Sequence, residues 1–516
     1  MNKWDTYKYS ETENLLDGAR WAHEDEMKRI LRKNRLSDAS APCYGGFPVI
    51  SDGDTVYVDD TDTHSLIIGS TGSKKSRLFA MPMLELFRRA GESVVVTDPK
   101  GELHQKTASW FAQEGYQVQV LNFRDPSHSN GWNPFTLARR YYLKGDIDHA
   151  TSVINDFANA FLADKTGTKA DPFWIQTSRS ILRGLSFLMI EGTKIFKDEE
   201  VNILTLQKLS QSLDPEQMDS VYDLDEFYQE DSLAFSNLMA VKRGTEKTFD
   251  NIMVSYDADM QKLYIQKSLI RMLSYNEMDF AGLGNQKTIL YLIMPDEKTT
   301  MHVIVSMVIK QCYEQLISLA QEKPGNVLPV RVNFLLDEFS NLPAIPDMPS
   351  MISAARSRNI RFHLIIQGLY QLSSKYGEDD AQTIKGNCAN WAFLTSRELP
   401  LLEEISQLCG SDSVTGKRLI SVSQLQRLDK FRGEVLMLVG RQYPFIAHLA
   451  DISDYVAPEQ SEELPLPTLP DTMPPSISAQ RAISRGNGLK DPEDMSQYES
   501  VTDYLLAVEY GQKSNL

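Results

Sequence analysis

The chain has 516 residues, 42% of them hydrophobic and 24% charged, and a formal net charge of −17 at pH 7. That length suits two or three domains of ordinary globular composition. The negative balance excludes a basic field over the whole surface, so any nucleic-acid contact must come from local patches.

Four scattered cysteines, Cys43, Cys312, Cys388 and Cys409, form no C-x-x-C pair. A zinc site or disulfide framework is therefore not expected, and a reducing compartment fits. The polar start Met1-Asn2-Lys3-Trp4-Asp5 lacks a signal-peptide core. No apolar run is read as approaching the ~20 residues of a membrane helix, so a cytoplasmic, soluble chain is expected.

Residues 1–45 form an expected N-terminal helical segment. Within it Glu24 to Arg35 reads as one helix ending in the basic run Lys28-Arg29-Ile30-Leu31-Arg32-Lys33-Asn34-Arg35, most simply a solvated face. Phe47 to Val58 alternates around Ser51-Asp52-Gly53-Asp54, a hairpin signal. Ser65 to Gly69 is a strand of the buried type, and a helix follows through Arg89.

Between strand and helix lies Gly69-Ser70-Thr71-Gly72-Ser73-Lys74-Lys75-Ser76, the layout of a P-loop. There, backbone N–H groups and a helix N-terminus hold phosphates. Lys75 would reach the β- and γ-phosphates of ATP, and the Ser76 hydroxyl would ligate Mg²⁺. The pattern G-x-x-x-x-G-K-[ST] asks for glycine at 74, where this chain has lysine. Glycine lets the backbone pass close to phosphates without a Cβ. A lysine can point outward, add attraction or block the pocket. The expectation is weaker nucleotide binding, relieved by Lys74→Gly.

Ser93 to Asp98 and Gln117 to Leu121 are further strands. Such runs alternating with helices argue for an α/β fold with a mostly parallel sheet covered on both faces. Over 138–281 strand signals fade and helical patterning takes over, as in Trp174 to Ile190, so an inserted all-α domain is expected. The acidic run Asp223 to Asp231 within it reads as solvated surface. Strands resume at Thr288–Met294, Val332–Asp337, Arg361–Ile366, Trp391–Thr395, Glu434–Val439 and Pro444–His448. The nucleotide-binding domain is thus discontinuous, 46–137 and 282–455. From 456 to 516 a Pro-rich acidic tail reads as disordered, with a short amphipathic candidate at Ser500 to Tyr510.

Val332-Asn333-Phe334-Leu335-Leu336-Asp337-Glu338 is an apolar strand ending in two carboxylates. Alone this is weak evidence. After a P-loop it is a Walker B arrangement, with Asp337 on Mg²⁺ and Glu338 polarising the attacking water. Ile365-Ile366-Gln367 ends the next strand, where a glutamine can sense the γ-phosphate or place the water.

Taken together, these segments resemble the TraG/TraD-like coupling ATPases of type IV secretion and bacterial conjugation. The matching stretches include Gly18-Ala19-Arg20-Trp21-Ala22, His64 to Ser73, Asp98-Pro99-Lys100-Gly101-Glu102-Leu103 and Asn133-Pro134-Phe135. Leu336-Asp337-Glu338-Phe339-Ser340-Asn341-Leu342 with Ile345-Pro346-Asp347, Ala355-Arg356-Ser357-Arg358, Gln367 to Leu372 and Gly386-Asn387-Cys388 complete the set. The resemblance covers roughly residues 18–410.

It implies a RecA-like P-loop NTPase with an all-α insertion, working as a ring, usually a hexamer, that uses ATP and Mg²⁺ to bring DNA or protein substrates to a secretion channel. Lys75 and Ser76 match the Walker A residues, Asp337 and Glu338 Walker B, and Gln367 the sensor. Arg356 stands where the family has an arginine finger for a neighbouring subunit, unless it is a surface helix residue. The implied partners are DNA with its relaxase and the channel proteins, at the inner face of the cell membrane; most members carry N-terminal membrane helices that are not read here, which leaves open a separate protein as anchor, a trimmed chain or a soluble branch. Two alternatives stay open: a non-catalytic recruitment platform, and a coupling ATPase for protein effectors.

Overall fold

The computed structural model describes residues 19–38, 41–162, 172–214, 216, 220–242, 245–264, 266–295, 297, 301–412, 415–455 and 463–488. Gly18 and the amphipathic candidate at 500–510 lie outside them. In chain order the strands are β1 (Arg32–Arg35), β2 (Phe47–Asp52), β3 (Thr55–Asp59), β4 (His64–Gly69), β5 (Ser93–Asp98), β6 (Gln117–Asn122), β7 (Thr288–Ile293), β8 (Val332–Leu336), β9 (Ile360–Ile366), β10 (Cys388–Thr395), β11 (Glu434–Val439) and β12 (Phe445–His448).

Nine of them form one sheet in the order β12-β11-β10-β4-β9-β8-β5-β7-β6. From β10 to β7 neighbouring strands run parallel, and β11 and β12 add antiparallel strands at one edge. Strands β4, β5, β7, β8 and β9 are buried along their whole length. Strands covered on both faces need not alternate: Leu66–Ile68, Val94–Val96 and Ile289–Ile293 are continuous apolar stretches, while β9 buries Arg361 and His363 among its apolar residues. The parallel order brings the C-terminal tips of β4, β8 and β9 side by side.

A second sheet, β1-β3-β2, is antiparallel. It corrects the expected helix over Glu24 to Arg35. The helix ends at Ile30 and Leu31 turns to an extended conformation. In β1 only Asn34 is buried. Its amide bonds the backbone N–H and C=O of Tyr44 at 2.8 and 2.9 Å. The basic side chains point outward from an edge strand, where charge blocks further pairing.

Contacts divide the chain into two compact units: Met1–Gln119, Phe280–Thr299 and Cys312–Leu464 in one, and Val120–Asp279, Thr300–Gln311 and Pro465–Leu516 in the other. Apart from the end of β6, the described residues of the second unit form no strand. Its helices Pro172–Glu191 and Leu233–Lys242 approach closely at Gly184, where a Cβ would stand 2.6 Å from the Leu238 side chain.

Residues 463–488, expected within a disordered tail, are ordered, and from 465 onward they pack into the second unit. Leu469 and Ile477 are buried, and a helix over Ala479–Gly486 buries Ala479, Ala482 and Ile483. Asn202 donates to the Pro475 carbonyl at 2.7 Å, and Arg485 pairs with Glu200 at 2.6 Å. Proline runs lack backbone donors, and the helix supplies the apolar anchors that composition averaged away. A third correction concerns apolar length. The helix His302–Gln321 is long and apolar enough to cross a membrane, with mean hydropathy 1.3, but 72% of that window is buried inside the protein. Its Lys310 pairs with Asp156 at 3.7 Å, and such charges hide the run in the sequence.

Candidate nucleotide site

The loop after β4 folds as a compact turn. Ser70 N–H bonds the Thr395 carbonyl at 3.0 Å, and Ser73 N–H returns to the Ser70 carbonyl at 3.1 Å. Gly69 is closely approached: a Cβ there would lie 2.5 Å from Ser73 Oγ, which would have to turn away. Gly72 and Lys74 both take positive φ, +76° and +69°. Lys74 therefore holds the left-handed conformation that glycine adopts without strain.

The Lys74 side chain leaves the loop. Its Nζ lies 3.8 Å from Asp451 Oδ2, and Asp451 also takes a bidentate contact from Arg77. Of the three courses open to a lysine here, the side chain takes the outward one, and its φ of +69° strains the backbone. Lys75 caps a π-helical turn, Ser76–Ala80, that leads into the helix Met81–Ala90. Such turns are uncommon and concentrate at functional sites.

Lys75, by contrast, turns inward and is 7% exposed. Its Nζ donates to the Gly69 carbonyl at 2.5 Å and to Ser70 at 3.4 Å, and lies 4.0 Å from Glu338 Oε1. Burial pushes its pKa down, against the pull of Glu338 and Asp337. Ser73 Oγ is buried with no hydrogen-bond partner. A buried orphan hydroxyl beside a buried ammonium suits a phosphate, which accepts from both.

Across from the loop, β8 ends in Asp337 and Glu338. Burial, and then the charge of Glu338, push the Asp337 carboxyl up to about 7, with Lys75 opposing. Its Oδ1 accepts the Glu338 N–H at 3.0 Å. Glu338 itself sits at φ +51°, a left-handed conformation costly for a non-glycine residue. Its Oε2 accepts from Gln367 Nε2 at 2.8 Å, so the tip of β9 holds the tip of β8. The structure thus brings Lys75, Asp337, Glu338 and Gln367 together.

The hydroxyl of Ser76, which is exposed, and the carboxylate of Asp337 are hard oxygen donors of the kind Mg²⁺ takes alongside phosphate oxygens and water. Among the described residues no group of three or more His, Cys, Asp or Glu could hold a metal alone. Asp98, at the tip of β5, accepts the His104 N–H at 2.8 Å and opens the helix Glu102–Gln113; burial raises its pKa.

Arg356 is not brought to this site within the chain. It precedes the N-terminal end of β9, whereas Gln367 follows the C-terminal end. Seven residues separate the ends, roughly 23 Å at ~3.3 Å per residue. It is half exposed and pairs with Asp62 at 2.9 Å.

Sequence reasoning missed one wall of the site. A cavity of about 790 Å³ is lined by Ser70, Thr71, Gln367, Arg397 and the turn 427–431. Lys430 Nζ donates to the Gly72 carbonyl at 3.3 Å. Arg397 follows the tip of β10, next to β4 in the sheet, and strand tips are where open α/β sheets bind ligands. The Arg427-to-Phe431 turn carries no such signal.

Residues 13–429 match the family model described as type IV secretory system conjugative DNA transfer. The chain is similar to conjugal transfer protein TraG of Escherichia coli, 24% identical over 444 residues that cover 79% of this chain and 66% of that protein. It is also similar to protein VirD4 of Rhizobium rhizogenes, 23% identical over 428 residues covering 80% and 58%. The chain therefore spans about 58–66% of the length of these curated relatives. Among solved structures, plasmid coupling protein TrwB in complex with the ATP analogue ADPNP superposes with TM-score 0.58 at 16% identity, over 88% of this chain and 97% of that one. TrwB with ADP and Mg²⁺ gives 0.55 at 16%, over 88% and 97%. At that identity the likeness is one of fold: a RecA-like P-loop NTPase core with an all-α domain.

Proposed function

The chain belongs to the type IV secretory system conjugative DNA transfer family, and on that premise we propose that it is an ATP-driven coupling protein delivering DNA, with its relaxase, to a type IV secretion channel. The observation that carries the reading is the convergence of Lys75, Glu338 and Gln367 at adjoining strand tips, with Lys75 Nζ 4.0 Å from Glu338 and Gln367 bonded to it at 2.8 Å. A structural ion pair needs no glutamine clamp and no phosphate-shaped loop beside it.

In this reading the Lys75 ammonium exchanges two carbonyls for phosphate oxygens, whose negative charge favours the ionised form that burial opposes. Ser73 Oγ gains an acceptor. Glu338, fixed by Gln367, takes up the proton of the attacking water. Ser76 and Asp337 would hold Mg²⁺, which when bound would supply positive charge against that of the phosphates. Arg356, exposed and far from its own loop, serves a neighbouring subunit in a ring, the hexamer of the family resemblance, and adds positive charge as the γ-phosphate departs. The ring works at the inner face of the cell membrane, held there by partners.

The test is steady-state ATP hydrolysis by the purified chain, with and without single-stranded DNA. Turnover stimulated by DNA and lost when salt weakens DNA binding is expected, because phosphate contacts carry sequence-independent binding. Absence of hydrolysis under every assembly condition would overturn the proposal.

A further inference from the structure

The turn between the helix Val422–Leu425 and β11 reaches the P-loop but has no part in the chemistry assigned above. Phe431 at its tip is 80% exposed, the highest value among the large apolar side chains of the described residues. Two ammonium groups face its ring, Lys430 at 5.4 Å and Lys74 at 5.8 Å from the centroid.

The turn is held by its own bonds. Phe431 N–H donates to Asp429 Oδ1 at 2.9 Å, Glu434 N–H to the Asp429 carbonyl at 3.0 Å, and Asp429 N–H to Glu434 Oε2 at 2.9 Å. Lys430 ties it to the Gly72 carbonyl at 3.3 Å. The turn therefore presents a largely exposed aromatic ring to the cavity that begins at Ser70 and Thr71.

An apolar face beside clustered cations suits a ligand that is flat and aromatic at one end and anionic at the other. We infer that Phe431 is the base platform of the nucleotide site. The purine stacks on its exposed face while the triphosphate fills the 69–76 loop, and Lys430 keeps the turn against that loop. Phenylalanine reads a base by its face and not by its hydrogen-bonding edge, so adenine and guanine are held alike. The inference rests on the nucleotide reading proposed above and adds the residue that recognises the base.

Calorimetric titration of the full chain with Mg²⁺-ATP, Mg²⁺-GTP and inorganic tripolyphosphate separates the two. Loss of a stacking partner costs on the order of 5- to 150-fold in affinity. Phe431→Ala should weaken ATP and GTP by that factor and leave tripolyphosphate within about twofold of wild type on the same basis. Phe431→Trp should retain ATP affinity. An unchanged ATP affinity in Phe431→Ala, or an equal loss of ATP and tripolyphosphate, overturns the base platform. Wild-type protein that binds tripolyphosphate as tightly as ATP also overturns it, with the phosphate site left standing. Wild-type protein that binds neither overturns the nucleotide reading, and this inference with it.

Discussion

Replacing Lys74 by glycine isolates the cost of the one residue that departs from the P-loop pattern. Lysine at φ +69° bears the left-handed penalty of about 1–2 kcal/mol. Glycine removes that penalty but gains freedom in the unfolded chain worth about 0.4–1 kcal/mol. The variant also loses an ion pair of 3.8 Å with Asp451, a partly exposed contact worth about 0–1 kcal/mol; Asp451 keeps Arg77. These effects nearly cancel, so Lys74→Gly should fold with a stability within about 1.5 kcal/mol of wild type. Lys74→Ala keeps the strain and loses the pair, so it should be less stable than Lys74→Gly by about 1 kcal/mol. Because the side chain points to Asp451 and not into the loop, both variants should bind Mg²⁺-ATP within about threefold of wild type, under ~0.7 kcal/mol. Denaturant unfolding and calorimetric titration read the two quantities. Tightening of about tenfold or more in Lys74→Gly would mean that the lysine blocks the loop. A similar weakening in both variants would make it a phosphate ligand. Alanine more stable than glycine would refute the positive-φ account.

Three further outcomes follow from the same geometry. Glu338→Gln should bind ATP but lose turnover by on the order of 10² or more, and an unchanged rate in a hydrolysis assay would remove it as the water-activating group. Arg356→Ala should abolish hydrolysis with affinity nearly intact and, since its pair with Asp62 is exposed, cost under ~1 kcal/mol of stability; mixing it with Glu338→Gln subunits should restore some activity, and hydrolysis undiminished in the Arg356 variant would refute the role. Asp337, raised from 3.8 to about 7, holds its proton near pH 6 and must shed it to take Mg²⁺, so Mg²⁺-dependent nucleotide affinity should rise between pH 6 and 8, in titrations that Asp337→Asn flattens. The same shift has a defined sign for folding: between about 3.8 and 7 the unfolded carboxyl is ionised while the folded one is not, so this group lowers stability as pH rises through that window. A wild-type affinity no more pH-dependent than that of Asp337→Asn would contradict the assignment.

The strands that carry chemistry were readable from short apolar cores, Leu66–Ile68, Phe334–Leu336 and Leu364–Ile366, that stop at Gly69, Asp337 and Gln367, although His64, Asn333, Arg361 and His363 are buried in the same strands. Their convergence follows from parallel order, which the alternation of strands and helices implies. Features set by partners remote in sequence were not readable. Arg32 to Arg35 looks helical until β3 pairs with it. Residues 463–488 look disordered by composition, yet Asn202, Lys208 and Glu200 supply the polar partners and the second unit's core accepts Ile477 and Ile483.

Lys74 shows the same limit at a single position. Its backbone behaves as the pattern requires, with the dihedral of the missing glycine, while its side chain is governed by Asp451, which no local motif announces. A motif constrains the main chain that touches the ligand. A substituted side chain harms the site only if the fold offers it no other destination. Asp451 and the Phe431 face provide one here, and both belong to the segment that follows β10. The course of the Lys74 side chain is therefore set by the 427–451 segment as much as by the loop itself.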